Sequence, residues 1–279
     1  MRPLLVLGAC ALACGRAPSP GGTAERIVSQ VVFADEELWA LGPEVRARVV
    51  AISGLADDTR YSTASGTWPA ALPRIAGGEA IVAQQPDLVV TAEFTAAETR
   101  AVLEQLGIAT LQLEGWRGFD DYRAHVRALG DAVAAPQAAQ ARIAAFDARL
   151  VALQQRFASP RRASVVSWHE GNVAGRGTIF ADEALAAGFD PIAVQRGVEG
   201  HGSLSLEALV TWDPDYVVVA CEGDCDATER DFAARPGFAG RRAAQPGHVI
   251  AIPAPLLYSA GVGMLDVVER LGTRRLAQP

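Results

Sequence analysis

The sequence predicts an α/β protein of two Rossmann-like lobes, each built on a mostly parallel central sheet, joined by one long helix. Three observations carry that expectation. One phrase occurs twice, as EAIVAQQPDLVV from Glu79 to Val90 and as EALVTWDPDYVV from Glu207 to Val218. Strand and helix patterns alternate on both sides of residues 119–157. That stretch is itself almost entirely helix-forming, broken only near Pro136.

Each copy of the phrase reads as a short helix opening at an acidic residue, stopped around Pro86 or Pro214, and passing into a buried strand. A single helix-to-strand joint of this kind could occur in any α/β protein. Two copies in register predict matching halves.

The remaining elements follow in order. Ile27 to Phe33 alternates as a strand, followed by an acidic helix from Ala34 to Leu41 that Gly42-Pro43 closes. Arg48 to Ile52 is a second strand, and residues 53–76, rich in Gly, Ser and Pro, form a long surface loop. After the first repeat come a helix from Thr95 to Leu106 and a strand from Ala109 to Leu113. This βαβα order signals a parallel sheet with helices on its faces. Ile143, Phe146, Leu150 and Leu153 then recur at helical spacing. The pattern restarts with a strand at Ala163–Trp168 and a helix at Ala181–Ala187. The second repeat, a strand at His248–Ile252 and a last helix from Gly261 to Leu271 complete the chain. The expected division is a signal and linker at 1–22, one lobe at 23–134, the connecting helix at 135–159 and a second lobe at 160–279.

With 279 residues the chain can bury a sizeable core, either as one large domain or as two lobes of ordinary size. Its formal charge of −7 argues against an electrostatic nucleic-acid binder. All its cationic side chains are Arg, so Schiff-base chemistry and a phosphate-loop lysine are excluded. Gly175-Arg-Gly177 does not extend into a dinucleotide fingerprint, and no G-x-S-x-G elbow is present.

Met1-Arg2 followed by the apolar stretch Leu4–Ala13 reads as an export signal, too short to span a bilayer. Cys14, followed by Gly15, resembles a lipoprotein processing site, with Cys10 as the rival position. Cys221 and Cys225, in CEGDC, read as a local disulfide in an exported protein, or as two thiolate ligands of a metal.

The order of these elements resembles the periplasmic binding proteins of ABC importers for cobalamin, haem and iron-siderophores, the class III group whose lobes share a backbone helix. The likeness is carried by RIVSQVVFADEELWALG (26–42), GGEAIVAQQPDLVV (77–90), residues 138–157, VAGRGTIFADEALAAGF (173–189), LSLEALVTWDPDYVVV (204–219) and HVIAIPAPLL (248–257). It implies a monomeric, lipid-anchored receptor with no cofactor that hands a metal chelate to a permease dimer. It further implies that Glu79 and Glu207 dock onto Arg residues of that permease, a pairing suited to fixing orientation.

In such a receptor the ligand sits beyond the carboxyl ends of the strands. That places Phe33, Phe94 and Trp116 of the first lobe there, with Tyr61 and Trp68 from its loop. Trp168, His169, Asn172, His201 and Tyr258 are the counterparts in the second lobe. Arg60, Arg74, Arg117, Arg176 and Arg196 are the cations that could receive an anionic siderophore. Cobalamin is the first expectation, with haem held by Tyr61 or a cleft histidine as another. A direct transition-metal receptor would need more of the four histidines to converge than His125 on a helix and His248 on a strand allow. An exported hydrolase on the same scaffold is the remaining alternative.

Overall fold

The computed structural model describes residues 23–278. The expected signal segment, with Cys10 and Cys14, lies outside them.

Strands β1 (Ile27–Ser29), β2 (Val49–Ser53), β3 (Arg74–Ile75), β4 (Leu88–Ala92) and β5 (Thr110–Leu113) form the first sheet. Every pair is parallel, in the order β3-β2-β1-β4-β5. Helices α1 (Val32–Ala40), α2 (Pro43–Arg46), α3 (Gly78–Ala83) and α4 (Ala97–Gln105) connect them. Helices α5 (Phe119–Ala132) and α6 (Pro136–Phe157) follow.

The second sheet contains β6 (Ser164–His169), β7 (Asn172–Ala174), β9 (His201–Ser203), β10 (Tyr216–Cys221) and β11 (Val249–Pro253). Their order is β11-β10-β6-β7-β9, and β8 (Asp190–Pro191) pairs with β6 off this path. This sheet is mixed, because β7 runs antiparallel to both β6 and β9. Its helices are α7 (Ile179–Ala186), α8 (Ile192–Gln195), α9 (Leu206–Trp212), α10 (Cys225–Ala233), α11 (Ala254–Leu257) and α12 (Gly263–Leu276). Among the described residues no helix is long and apolar enough to cross a membrane.

The period of two along each strand sorts side chains onto opposite faces. Val28 and Val89 pack with Ile81 of α3 and Leu103 of α4, whereas Ile27, Leu88 and Val90 face the other way. In the second sheet Val166, Val217, Val219 and Val249 line one face and Val165, Val218, Ile250 and Ile252 the other. The second-named faces of the two sheets belong to a single apolar cluster that α6 completes. Its buried residues Ala139, Ile143, Phe146, Leu150, Leu153 and Phe157 recur every three or four positions, forming one stripe. With 22 residues α6 is roughly 33 Å long, enough to run beside both sheets. The break before it is sharp: Ala134 takes a left-handed φ of 54° and Pro136 occupies the first turn of α6.

The repeated phrase is repeated in three dimensions. Gln85 and Asp213, equivalent in the two copies, both adopt left-handed conformations, with φ of 49° and 48°. Each ends its helix just ahead of the proline. The aspartates that follow also match. Asp87 accepts from the backbone N–H groups of Glu25 and Arg26 at 2.8 and 2.9 Å, beside the start of β1. Asp215 accepts from the N–H and hydroxyl of Ser164, both at 2.7 Å, at the start of β6. The Pro-Asp pair therefore pins each helix-to-strand joint to the adjacent central strand.

Two elements differ from the sequence expectation. The first strand stops at Ser29 rather than Phe33, and the chain enters α1 at Val32, so Phe33 is helical. The Ser29 hydroxyl accepts from the Val31 N–H, turning the chain there. Residues 53–76 are not wholly a surface loop: they end in β3, and Trp68 within them is buried.

Candidate ligand-binding cleft

Both sheets direct the carboxyl ends of their parallel strands at one cavity of about 910 Å³. Segments following β1, β2, β4, β5, β6, β10 and β11 all contribute to its walls. This is where α/β sheets place ligands, because connections leave the strands there and side chains are free to converge.

The first lobe supplies an aromatic wall. Phe33 meets Trp116 edge-on, with ring centroids 5.5 Å apart, and Phe94 lies 5.7 Å from Trp116 on the outer side. His125 of α5 backs Trp116 at 4.4 Å and donates from Nε2 to the Glu114 carbonyl at 3.0 Å. Phe94 is 67% exposed, so a large apolar ring is held at the mouth. Tyr61 extends from the 53–76 loop beside it, half exposed. Glu36 fastens that loop to α1 by accepting from the Thr63 N–H at 3.0 Å and hydroxyl at 2.7 Å. Burial raises the pKa of Glu36 above the usual carboxylate range, against the opposing hydrogen bonds from Thr63.

The second lobe faces this wall with His169 at the end of β6 and Tyr258 after α11, their rings 5.9 Å apart. Asn172 and His201 belong to the antiparallel strands β7 and β9, which bring both into the cleft wall. Thus Phe33, Tyr61, Phe94, Trp116, His169, Asn172, His201 and Tyr258 converge on one cavity.

Trp68 and Trp168 do not. Trp68 is 5% exposed, donates its indole N–H to the Asp35 carbonyl at 3.1 Å, and packs on Trp39. Trp168 donates to the Leu204 carbonyl at 2.9 Å and packs on Phe232, on the sheet face away from the cleft. Strand alternation sends Trp168 to one face and its neighbour His169 towards the cavity. Of the five arginines named above, Arg60 alone lines the cavity. Arg74 pairs with Asp57, Arg117 with Asp121 and Arg176 with Glu199, while Arg196 lies over the Trp212 ring.

Several lining residues escaped the sequence reading, among them Glu36, Phe180 and Glu222. A signal for two of them exists: Phe-Ala-Asp-Glu occurs at 33–36 and again at 180–183, in a helix on each side of the cleft. The second copy behaves differently, since Glu183 is wholly buried with neither carboxylate oxygen hydrogen-bonded. Burial holds its pKa well above the ordinary value, because no partner offsets the loss of water around the charge. Asp182 of this copy accepts from the Phe119 N–H at 3.1 Å, joining α7 to the start of α5.

Cys221 and Cys225 are joined as a disulfide, with Cα atoms 5.2 Å apart. Among the described residues no three His, Cys, Asp or Glu side chains are grouped to hold a metal ion. His125 is buried, and His248, half-buried, stacks on Tyr216 with ring centroids 4.4 Å apart. Glu79 and Glu207 are exposed near the starts of α3 and α9, away from the cavity walls.

Residues 44–256 match the family described as periplasmic binding protein. The chain belongs to that family, and its two sheets on one long helix are the class III arrangement. A periplasmic heme binding protein from Pseudomonas aeruginosa is 26% identical, with a TM-score of 0.71 over 90% of this chain and 92% of the other. The periplasmic vitamin B12 binding protein BtuF of Vibrio cholerae is 23% identical, with a TM-score of 0.73 over 91% and 98%. An ABC-type Fe3+-hydroxamate transport protein from Saccharomonospora viridis is 22% identical, with a TM-score of 0.71 over 91% and 94%. No curated protein matches the sequence.

Proposed function

We propose that the protein is the extracytoplasmic solute-binding component of an ABC importer, taking a bulky metal chelate into the inter-lobe cleft. Cobalamin is the first candidate, and an iron-siderophore or haem the next. The observation that carries this reading is the cavity of about 910 Å³, walled by aromatic rings of both lobes. A cavity of that volume suits a macrocycle, and rigid rings bury large area at low rotamer cost. The structural neighbours named for haem, vitamin B12 and a ferric hydroxamate support the same breadth of ligand. Haem is favoured as a second reading by one feature: Tyr61, His169, His201 and Tyr258 offer axial donors from both walls.

Glu79 and Glu207 are the proposed docking acids. Both are exposed, neither is ion-paired among the described residues, and they occupy equivalent places in the two repeats. A lipid anchor at Cys14 and a monomeric state complete the proposal.

Titration with cyanocobalamin, haemin and ferrichrome, followed by Trp fluorescence, tests the reading directly. Saturable quenching by one of them is expected, since Trp116 lies in the wall. Failure of all three, together with turnover of an ester substrate, would overturn it in favour of the exported hydrolase. Docking is tested separately: Glu79→Ala with Glu207→Ala should leave chelate affinity unchanged and abolish uptake.

A further inference from the structure

We propose that the cleft selects a neutral or cationic chelate over an anionic one, and that Glu222 is the residue that sets this preference. The inference rests on the chelate-receptor reading and narrows its ligand class.

The charges on the cavity wall are few. Glu36 enters from the first lobe, Glu222 from the second, and Arg60 is the cation among the described lining residues. Arg60 is already committed, donating to Asp58 through Nε at 3.0 Å and Nη2 at 2.7 Å. Asp58 already balances the Arg60 charge, and Glu222 also acts on Arg60 electrostatically, so the guanidinium adds little net attraction for an anionic ligand. The other arginines that could have supplied positive charge are held by partners outside the cavity. With imidazoles counted as neutral, the wall therefore carries net negative charge.

The two glutamates are placed differently. Glu36 is spent on holding Thr63, and its replacement would also loosen the loop that carries Tyr61. Glu222 has no hydrogen-bond partner among the described residues and is exposed at the rim. Its backbone is nonetheless fixed. It follows β10 directly, and the Cys221–Cys225 disulfide closes the short ring in which it sits. Asp224 then caps α10 by accepting from the Ala227 N–H at 3.0 Å. A free carboxylate on a covalently closed rim loop biases an incoming ligand by charge without other structural duty. Low-dielectric walls strengthen that bias, because a cleft of one sign focuses the field within it.

Two corrinoids with one ring system separate charge from shape. Cobinamide carries amide side chains around a cationic centre, whereas cobyrinic acid carries carboxylates at the same positions. Cobinamide should bind at least about tenfold tighter at low salt, and the ratio should shrink as salt is raised. Glu222→Arg should reduce or invert that ratio while leaving the thermal midpoint unchanged. Equal affinities would overturn the inference, as would a preference that Glu222→Arg does not alter, or tight binding of haemin with neither corrinoid bound. In each of those cases a chelate still binds and the receptor reading stands. Absence of binding by both corrinoids, haemin and ferrichrome would remove that reading, and this inference with it.

Discussion

Arg142 of α6 grips Glu37 of α1, donating through Nε at 2.9 Å and Nη2 at 3.2 Å to a carboxylate with no exposed surface. Burial raises the Glu37 pKa, and the guanidinium opposes it. The pair ties the connecting helix to the lobe that carries Phe33 and Glu36. Arg142→Met should cost about 3–5 kcal/mol by leaving a buried carboxylate unpaired. Adding Glu37→Gln should recover much of the loss, and urea denaturation of the single and double variants measures both.

On the other lobe the ties from α6 are wetter. Arg149 reaches Asp266 at 2.5 Å and Glu269 at 3.0 Å on α12, with these side chains 40–48% exposed. Solvent screening reduces such pairs to about 1 kcal/mol or less. Arg149→Ala should therefore shift the urea midpoint far less than Arg142→Met. An equal shift would show that the two attachments of the helix do not differ in this way.

Buried acids predict an inverted acid response. Burial pushes the Asp35 carboxyl up to about 6, against hydrogen bonds from Ser29 and Ser53. Glu36, Glu37, Asp182 and Glu183 are raised for the same reason. Between the unfolded value near 3.8 and about 6, the folded Asp35 holds a proton that the unfolded chain has lost. Stability then falls as pH rises through that window, by roughly 3 kcal/mol for this residue. Asp58 and Asp121, lowered by Arg60 and Arg117, act in the opposite sense below about pH 4. Maximum stability is expected near pH 4–5, and Asp35→Asn should flatten the decline above it. A urea midpoint rising steadily from pH 4 to 7 would contradict this assignment.

Gly272 of α12 reverses the usual helix rule. Replacing a mid-helix glycine by alanine ordinarily gains up to about 1 kcal/mol. Here the added Cβ would overlap the ring of Phe157, the last residue of α6. Gly272→Ala should instead destabilise by about 1–3 kcal/mol. Thermal unfolding decides the sign, and recovery on adding Phe157→Leu would identify the ring as the obstacle.

Much of this architecture was legible because it is written in local periodicity. The repeated phrase located both helix-to-strand joints, and the spacing from Ile143 to Leu153 located the connecting helix. The limits were equally local. Val31, Val32 and Phe33 satisfy a strand or a helix pattern alike, so the end of β1 was misplaced. A tryptophan at a strand end can point to either face, which is why Trp168 went to the core while His169 reached the cavity. The short strands β7 and β9 carry too few residues for a period, yet they place Asn172 and His201. Glu222 lay hidden between two cysteines that claimed the reading of CEGDC.

By itself the sequence determined two α/β halves on one helix, because burial of a strand face or helix stripe imposes a period on neighbouring residues. Only the tertiary structure decided which side chains look at one another across the cleft. Phe33, Trp116, Glu222 and Tyr258 belong to separate segments, brought together by sheet order and by the packing of α6 against both lobes. No local pattern records that convergence, because the forces producing it act between surfaces far apart in the chain.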